Sequence, residues 1–257
     1  MSIDPLLLVV AGLFGLTVGS FLNVCITRLP ADQSVVRPRS RCPKCEQSIA
    51  WYDNVPILSW VLLGGKCRNC RAPISALYPL VELAVAAIWI GAIWYYGASF
   101  QGVVAGLFGT ILLGIAVTDA RTYLIPNEFT WGGLGLGLFL AGAGGLQGIL
   151  DALIGAATGF GILFAVAWAG EKALRKEAMG GGDIKMMAMV GAFLGWKGVL
   201  LTIFGGALLG TLVFLPFSLR ENKPLVPFGV FLAAAAAVAF VFGDSIVTWY
   251  FGYLGGG

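Results

Sequence analysis

PLLLVVAGLFGLTVGSFLNVCIT, residues 5–27, carries no charge and is long enough to cross a bilayer. A hydrocarbon core about 30 Å thick takes roughly 20 residues of α-helix. The run is longer than the apolar core of a secretory signal, opens after Asp4 and lacks a basic leading region, so it reads as a retained helix. Similar apolar runs follow at 76–96, 101–118, 128–145, 147–169, 184–194, 198–218 and 228–250. The expected fold is therefore an all-α polytopic membrane protein with about eight transmembrane helices. Seven is the alternative, because 184–194, around MMAMVGAFLG, is too short to cross comfortably and would tilt, dip or fuse with its neighbour.

Composition agrees. Of 257 residues 58% are apolar and only 11% charged, with mean hydropathy +0.89, which excludes an ordinary soluble surface. Thirty-eight glycines suit helices packed closely in lipid. Trp94, Tyr95, Tyr96, Trp249 and Tyr250 gather near expected span ends, as interfacial aromatics do.

The basic residues give orientation. Arg28, Arg37, Arg39, Arg41, Lys44, Lys66, Arg68 and Arg71 fall between the first two spans; Arg121, then Lys172, Arg175, Lys176 and Lys185, then Arg220 and Lys223 follow later odd-numbered spans. With eight spans, fifteen of sixteen cations share one face and only Lys197 takes the other. That face is cytoplasmic and both termini lie outside. Removing one early span would scatter the charges, so the asymmetry supports the count.

Residues 28–75 form the one soluble module, between a first transmembrane helix within 1–27 and a helical region at 76–257. A segment this small needs a staple. Cys42, Cys45, Cys67 and Cys70 stand as C-x2-C-x21-C-x2-C, a spacing that brings four thiolates onto one tetrahedral ion, so the module is expected to be zinc-ribbon-like. Disulfides are the competing reading, but a cytoplasmic loop keeps thiols reduced. An iron–sulfur site is the minor chemical alternative. Four thiolates leave no open position, so zinc here would be structural. Cys25, inside the first apolar run, reads as a packing residue.

Histidine is absent, which excludes Ser-His-Asp and Cys-His catalysis, HExxH hydrolysis and any His metal ligand. Chemistry then falls to carboxylates, cysteines or lysines. Six acids lie in or at the edges of apolar runs, where an ionisable group costs on the order of 3 kcal/mol: Glu82, Asp119, Glu128, Asp151, Asp183 and Asp244. Asp151, Asp244 and Glu128 fall near ends and read as solvated. Glu82 fits a structural hydrogen bond as well as a functional role. Asp119 and Asp183 differ, because the charge-derived topology puts both at the cytoplasmic ends of their spans. If they meet, repulsion keeps one protonated, and the pair can activate water as base while donating a proton as acid. Pro126 and Asn127 are expected to break the helix beyond Asp119, and Gly180–Gly182 to give an extended backbone beside Asp183. GGGDIK lacks the spacing of a phosphate loop.

These segments together resemble the type IV prepilin peptidases, a family of GxGD aspartyl proteases. The resemblance rests on GSFLNVCITRLP (19–30), RSRCPKC (39–45), DNVPILSWVLLGGKCRNC (53–70), ISALYPLVE (74–82), DARTYLIPN (119–127), MGGGDIK (179–185) and VPFG (226–229). It implies that Asp119 and Asp183 are the protease pair and the four cysteines zinc ligands. It further implies a bacterial inner-membrane enzyme cutting the short basic leader of prepilins or pseudopilins at the cytoplasmic face. Members with this cysteine module usually also transfer a methyl group from S-adenosylmethionine to the new N-terminus, with Gly65 and Lys66 the candidate contacts. A proton-coupled transporter using Asp119 and Asp183 as a relay is the alternative function, and a membrane-anchored zinc-ribbon binding module a third. Membrane lipid is the implied surrounding, and no nucleic-acid partner is expected.

Overall fold

A computed structural model describes residues 4–175, 179–218 and 226–255. Lys176, Arg220 and Lys223, counted above among the cytoplasmic cations, lie outside the described residues. The described chain is helical almost throughout: α1 (Pro5–Arg28), a short α2 (Leu58–Leu62), α3 (Leu77–Tyr96), α4 (Phe100–Thr122), α5 (Asn127–Ala141), α6 (Gly145–Leu174), α7 (Gly181–Ser218) and α8 (Phe228–Gly255). Six stretches among them are long and apolar enough to span a membrane. One runs through α5 and α6, which are separated at Gly145, and α7 contains a break at Gly195 (φ 65°, ψ −179°). Counting those breaks gives eight apolar helical segments, in the order expected from sequence. The protein is a multi-pass membrane protein. The short sixth run extends to 181–194 and is fused to the seventh through Gly195, one of the outcomes its length implied.

Contacts divide the chain into two compact units, Met1–Thr110 and Ile111–Gly257. In the first, Asp4 caps α1 by accepting the Leu6 N–H at 2.9 Å, and Pro5 supplies a preset φ at the helix start. α1 lies on α3 through Gly15 and Gly19, where a Cβ would come within 2.7 Å of the Ala86 and Glu82 Cα atoms. Lipid gives helices no hydrophobic reason to associate, so such backbone approach supplies the dispersion contacts that do. Polar groups here are paired: Asn23 of α1 donates to the Tyr78 carbonyl of α3 at 2.9 Å, and the Trp89 indole of α3 to Thr110 Oγ1 of α4 at 3.2 Å.

In the second unit α6 and α7 meet on the same device. Cβ atoms at Gly155, Gly159 and Gly191 would run into backbone of the opposite helix. α5 lies on α7 with Gly133 against Met189 and Gly137 against Phe193, and α8 lies on α7 with Leu232 over Gly206. Met186, Met187, Met189, Val190, Val199, Leu163 and Leu232 are fully buried among these helices. The adaptable thioethers fill what an interface of glycines leaves open.

Candidate functional site

α4 ends at Thr122 because Tyr123 turns left-handed (φ 56°), donating its N–H to the Asp119 carbonyl at 2.9 Å. Three residues later Pro126 precedes α5 as its cap residue, where the absence of an N–H costs nothing. The helix therefore breaks just ahead of Pro126 and Asn127, which open the next one. This turn carries Ile125 back over the end of α4. Asp119, in the last turn of α4, is buried at 5% exposure, and its Oδ2 has no hydrogen-bond partner among the described residues. The group facing it is the start of α8: the backbone of Gly229 and Val230 approaches the carboxylate. A Cβ at Gly229 would stand 2.9 Å from Oδ2. The first N–H groups of a helix are unpaired and carry its positive dipole end, a setting that receives negative charge.

Asp183 lies in the first turn of α7, half-buried, its N–H donating to the Gly180 carbonyl at 3.2 Å. Its charge interacts directly with that of Asp119. The expected extended backbone at Gly180–Gly182 is not what forms: Gly181 and Gly182 are already helical. Glycine is required there for another reason. A Cβ at Gly182 would meet Ile125 Cβ at 3.0 Å, while Ile125 Cδ1 lies 2.9 Å from a Cβ at Gly229. Ile125 thus fills the space between the two glycines beside the two acids. A second tie joins the same segments, Lys185 Nζ donating to Asn127 Oδ1 at 2.8 Å. Ile125, Gly229 and the Asn127–Lys185 bond were not picked out from sequence, although all four residues lie in the quoted motifs; which glycine serves which neighbour is a long-range fact with no local signal. Asp151, Asp244 and Glu128 are exposed, as expected.

The cysteine module has its own centre. The Sγ atoms of Cys42, Cys45, Cys67 and Cys70 all lie within 4.8 Å of one another, with Cys42 and Cys70 3.7 Å apart. Zinc with bonds near 2.3 Å in a tetrahedron needs sulfurs about 3.8 Å apart, so the set fits that ion. Four cysteines are positioned to bind a metal.

Each pair sits on the same knuckle. Cys42 N–H donates to the Gln47 carbonyl and Glu46 N–H to the Cys42 carbonyl; Cys67 and Ala72, then Arg71 and Cys67, repeat those bonds. Glu46 and Arg71 are both left-handed, and Arg41–Ser48 and Lys66–Pro73 close matching antiparallel bridges. This internal repeat is too short and too divergent to see in sequence. Backbone N–H groups of Cys45 and Lys44 lower the Cys42 thiol to about 6. Cys70, despite a backbone bond at Ala72 favouring its thiolate, is pushed up to about 11 by burial and by hydrogen bonds with the other three sulfurs.

Gly65 is left-handed (φ 66°) and lies under the Trp60 ring, 2.9 Å from Cζ2 for an added Cβ; Lys66 is exposed. Arg68 grips Asp53 with both arms at 2.6–3.1 Å, lowering the Asp53 carboxyl through hydrogen bonding and charge. Glu82, buried in α3, accepts the Ile57 N–H at 2.7 Å. Of the two readings open for Glu82 the structure displays the hydrogen bond, made both to Ser20 of the neighbouring helix α1 and to the module.

Comparison with known proteins places the chain in a family. Residues 13–96 match the bacterial peptidase A24 N-terminal domain and residues 106–215 the type IV leader peptidase family. The chain is 37% identical over 270 residues to a prepilin leader peptidase/N-methyltransferase of Aeromonas hydrophila, covering 93% of this chain and 91% of that protein. The chain belongs to the type IV leader peptidase family. A protein of the same name from Stutzerimonas stutzeri is 37% identical over 97% of this chain and 96% of its own length. Another, from Myxococcus xanthus (strain DK1622), is 43% identical over 82% of this chain, which spans 64% of that protein's length. No solved structure matches the chain significantly. These relatives are peptidases, and nothing in the comparisons supports the transporter alternative.

Proposed function

We propose that this family member is an intramembrane aspartyl endopeptidase that removes the basic leader from type IV prepilins or type II secretion pseudopilins, with Asp119 and Asp183 as its catalytic pair. The observation that carries the reading is the state of Asp119: a buried carboxylate with an unpartnered oxygen, set against a helix start, within charge range of a second acid. A carboxylate buried in an apolar span beside a second acid is costly to keep for packing alone, and the backbone at the start of α8 supports its charge.

In the proposed reaction one carboxylate takes a proton from the attacking water while the other, protonated, donates to the carbonyl oxygen of the scissile bond. The roles reverse as the amine leaves, and the pair titrates as a unit. The N–H groups at the start of α8 hold negative charge on Asp119 as it forms. Placement of both acids at cytoplasmic span ends, in the bacterial inner membrane, accords with a substrate whose leader is basic and whose next segment is an apolar helix.

The four cysteines would hold structural zinc, which supplies cross-linking and no step of the cleavage. The names of the relatives pair the peptidase with N-methylation, and we extend that activity to this chain. S-adenosylmethionine supplies the methyl group when bound; Gly65 and Lys66, in the module at 28–75, remain the proposed contacts. The peptidase domain proper is then 76–257, and 1–27 the first transmembrane helix. Incubating the purified protein with a prepilin and S-adenosylmethionine and weighing the product tests both activities: the expected product has lost its leader and gained one methyl group. An uncut substrate would overturn the peptidase, and a cut but unmethylated one the second activity.

A further inference from the structure

Glu82 is the sixth residue of α3, about 7.5 Å along its axis from Leu77 at 1.5 Å per residue. Its carboxylate takes the N–H of Ile57, in the middle of the cysteine module. The level of Glu82 on α1 is marked by Gly19, whose missing Cβ faces the Glu82 Cα, nine residues before the end of α1 at Arg28. The Ile57 N–H is therefore held within a glutamate side chain's reach of the second turn of α3, which ties this part of the module to the helix.

The backbone there is built for the position. Ile57 has φ 60° and ψ −52°, and Leu58 N–H returns to the Pro56 carbonyl, a γ-turn of the rare positive-φ kind at a β-branched residue. Ser59 closes the turn, accepting the Val55 N–H and donating to the Tyr52 carbonyl. The polar groups of the turn point inward to Glu82 and Ser59. What faces out is apolar: Trp51 is 78% and Leu62 76% exposed, with Tyr52, Leu58 and Val61 also exposed. Residues 54–65, NVPILSWVLLGG, contain no charge, although cations crowd the module on either side: Arg37, Arg39, Arg41 and Lys44 before, Lys66, Arg68 and Arg71 after.

We infer that residues 51–62, whose one charge, Asp53, is paired with Arg68, are a membrane-seated segment, lying in the headgroup–acyl boundary so that the cysteine module is docked on the bilayer. Tryptophan and tyrosine with leucine and valine at that level suit the boundary, and the flanking cations suit an anionic leaflet. The inference rests on the position of the Glu82 bond and the apolar exposed face, and it stands whether or not the peptidase reading does.

The test uses the full metal-loaded protein in nanodiscs of phosphatidylethanolamine and phosphatidylglycerol, with and without bromine on the acyl chains near the carbonyl. The Trp51 signal is the difference between the wild-type fluorescence and that of Trp51→Phe. Brominated lipid is expected to quench this difference at least about twofold, as an interfacial indole requires. An unquenched difference would overturn the proposal. In a second arm a photoreactive benzoylphenylalanine replaces Leu62 or, as control, Lys44, with metal content checking the fold. Lipid adducts are expected at 62 and not at 44; adducts at 62 to a second copy of the chain, or to no lipid, would refute it.

Discussion

Gly229→Ala places one methyl group where the structure has no room. The new carbon would stand 2.9 Å from Asp119 Oδ2 and 2.9 Å from Ile125 Cδ1, against comfortable separations of about 3.5–4.0 Å between carbons. Either the carboxylate and the isoleucine give way by several tenths of an ångström or α8 shifts. Overpacking of this kind costs about 1–3 kcal/mol. Because it falls on a reacting group, it should appear in catalysis: about 2 kcal/mol is roughly a thirtyfold loss of kcat, in line with the sensitivity of reactions to misplacement. Helix stability works the other way, since alanine is the better helix former by about 1 kcal/mol, so the variant should stay folded. Adding Ile125→Val removes Cδ1, one of the two obstacles, and should restore part of the rate but not all, because Asp119 still faces the new methyl. Prepilin cleavage followed by gel or mass spectrometry, at several substrate concentrations to separate kcat from KM, reads this out. A Gly229→Ala enzyme cleaving at the wild-type rate would refute the claim that the start of α8 positions Asp119.

Three further outcomes follow from the geometry. Elemental analysis should find one zinc per chain, and Cys42→Ser or Cys67→Ser should lose it and loosen residues 28–75; iron, or no metal, would overturn the zinc assignment. Loading the metal-free module at pH 7 should also release protons, since the Cys70 thiol, at about 11, must give one up. The Arg68 bridge holds the Asp53 carboxyl below its usual range, so its small contribution is present above the unfolded aspartate value near 4 and fades as pH falls through the lower folded value; Asp53→Asn should flatten the thermal stability of the module against pH in that acidic window. Gly159→Val drives a side chain into the Met187 carbonyl and should abolish monodisperse protein in size-exclusion chromatography, whereas Gly161→Val, with nothing within 4 Å, should be tolerated.

The membrane character, the helical segments and the four cysteines were legible because each is written locally, in apolar runs and in ligand spacing. Asp119 and Asp183 were legible for a different reason: charge in an apolar run is costly, so it marks itself. What sequence did not reveal depends on contacts between distant segments. GGGD looked like a strand-like approach to the acid and proved to be a helix start, because a triple glycine announces closeness without saying to what. Ile125 is an ordinary aliphatic residue until Gly182 and Gly229 are seen on either side of it. Glu82 gave no sign that its partner would be a backbone amide of the cysteine module, and the two knuckles share too few residues to show their repetition.

The central claim is that Asp119 and Asp183 are one catalytic unit. It is tested most directly by purified Asp119→Asn and Asp183→Asn proteins, each checked for helicity and metal content and then given a prepilin. The expected result is no detectable leader removal by either, beside a wild-type profile against pH that rises and falls on two limbs belonging to the pair. Leader removal by either single variant at a rate near that of the wild type would contradict it.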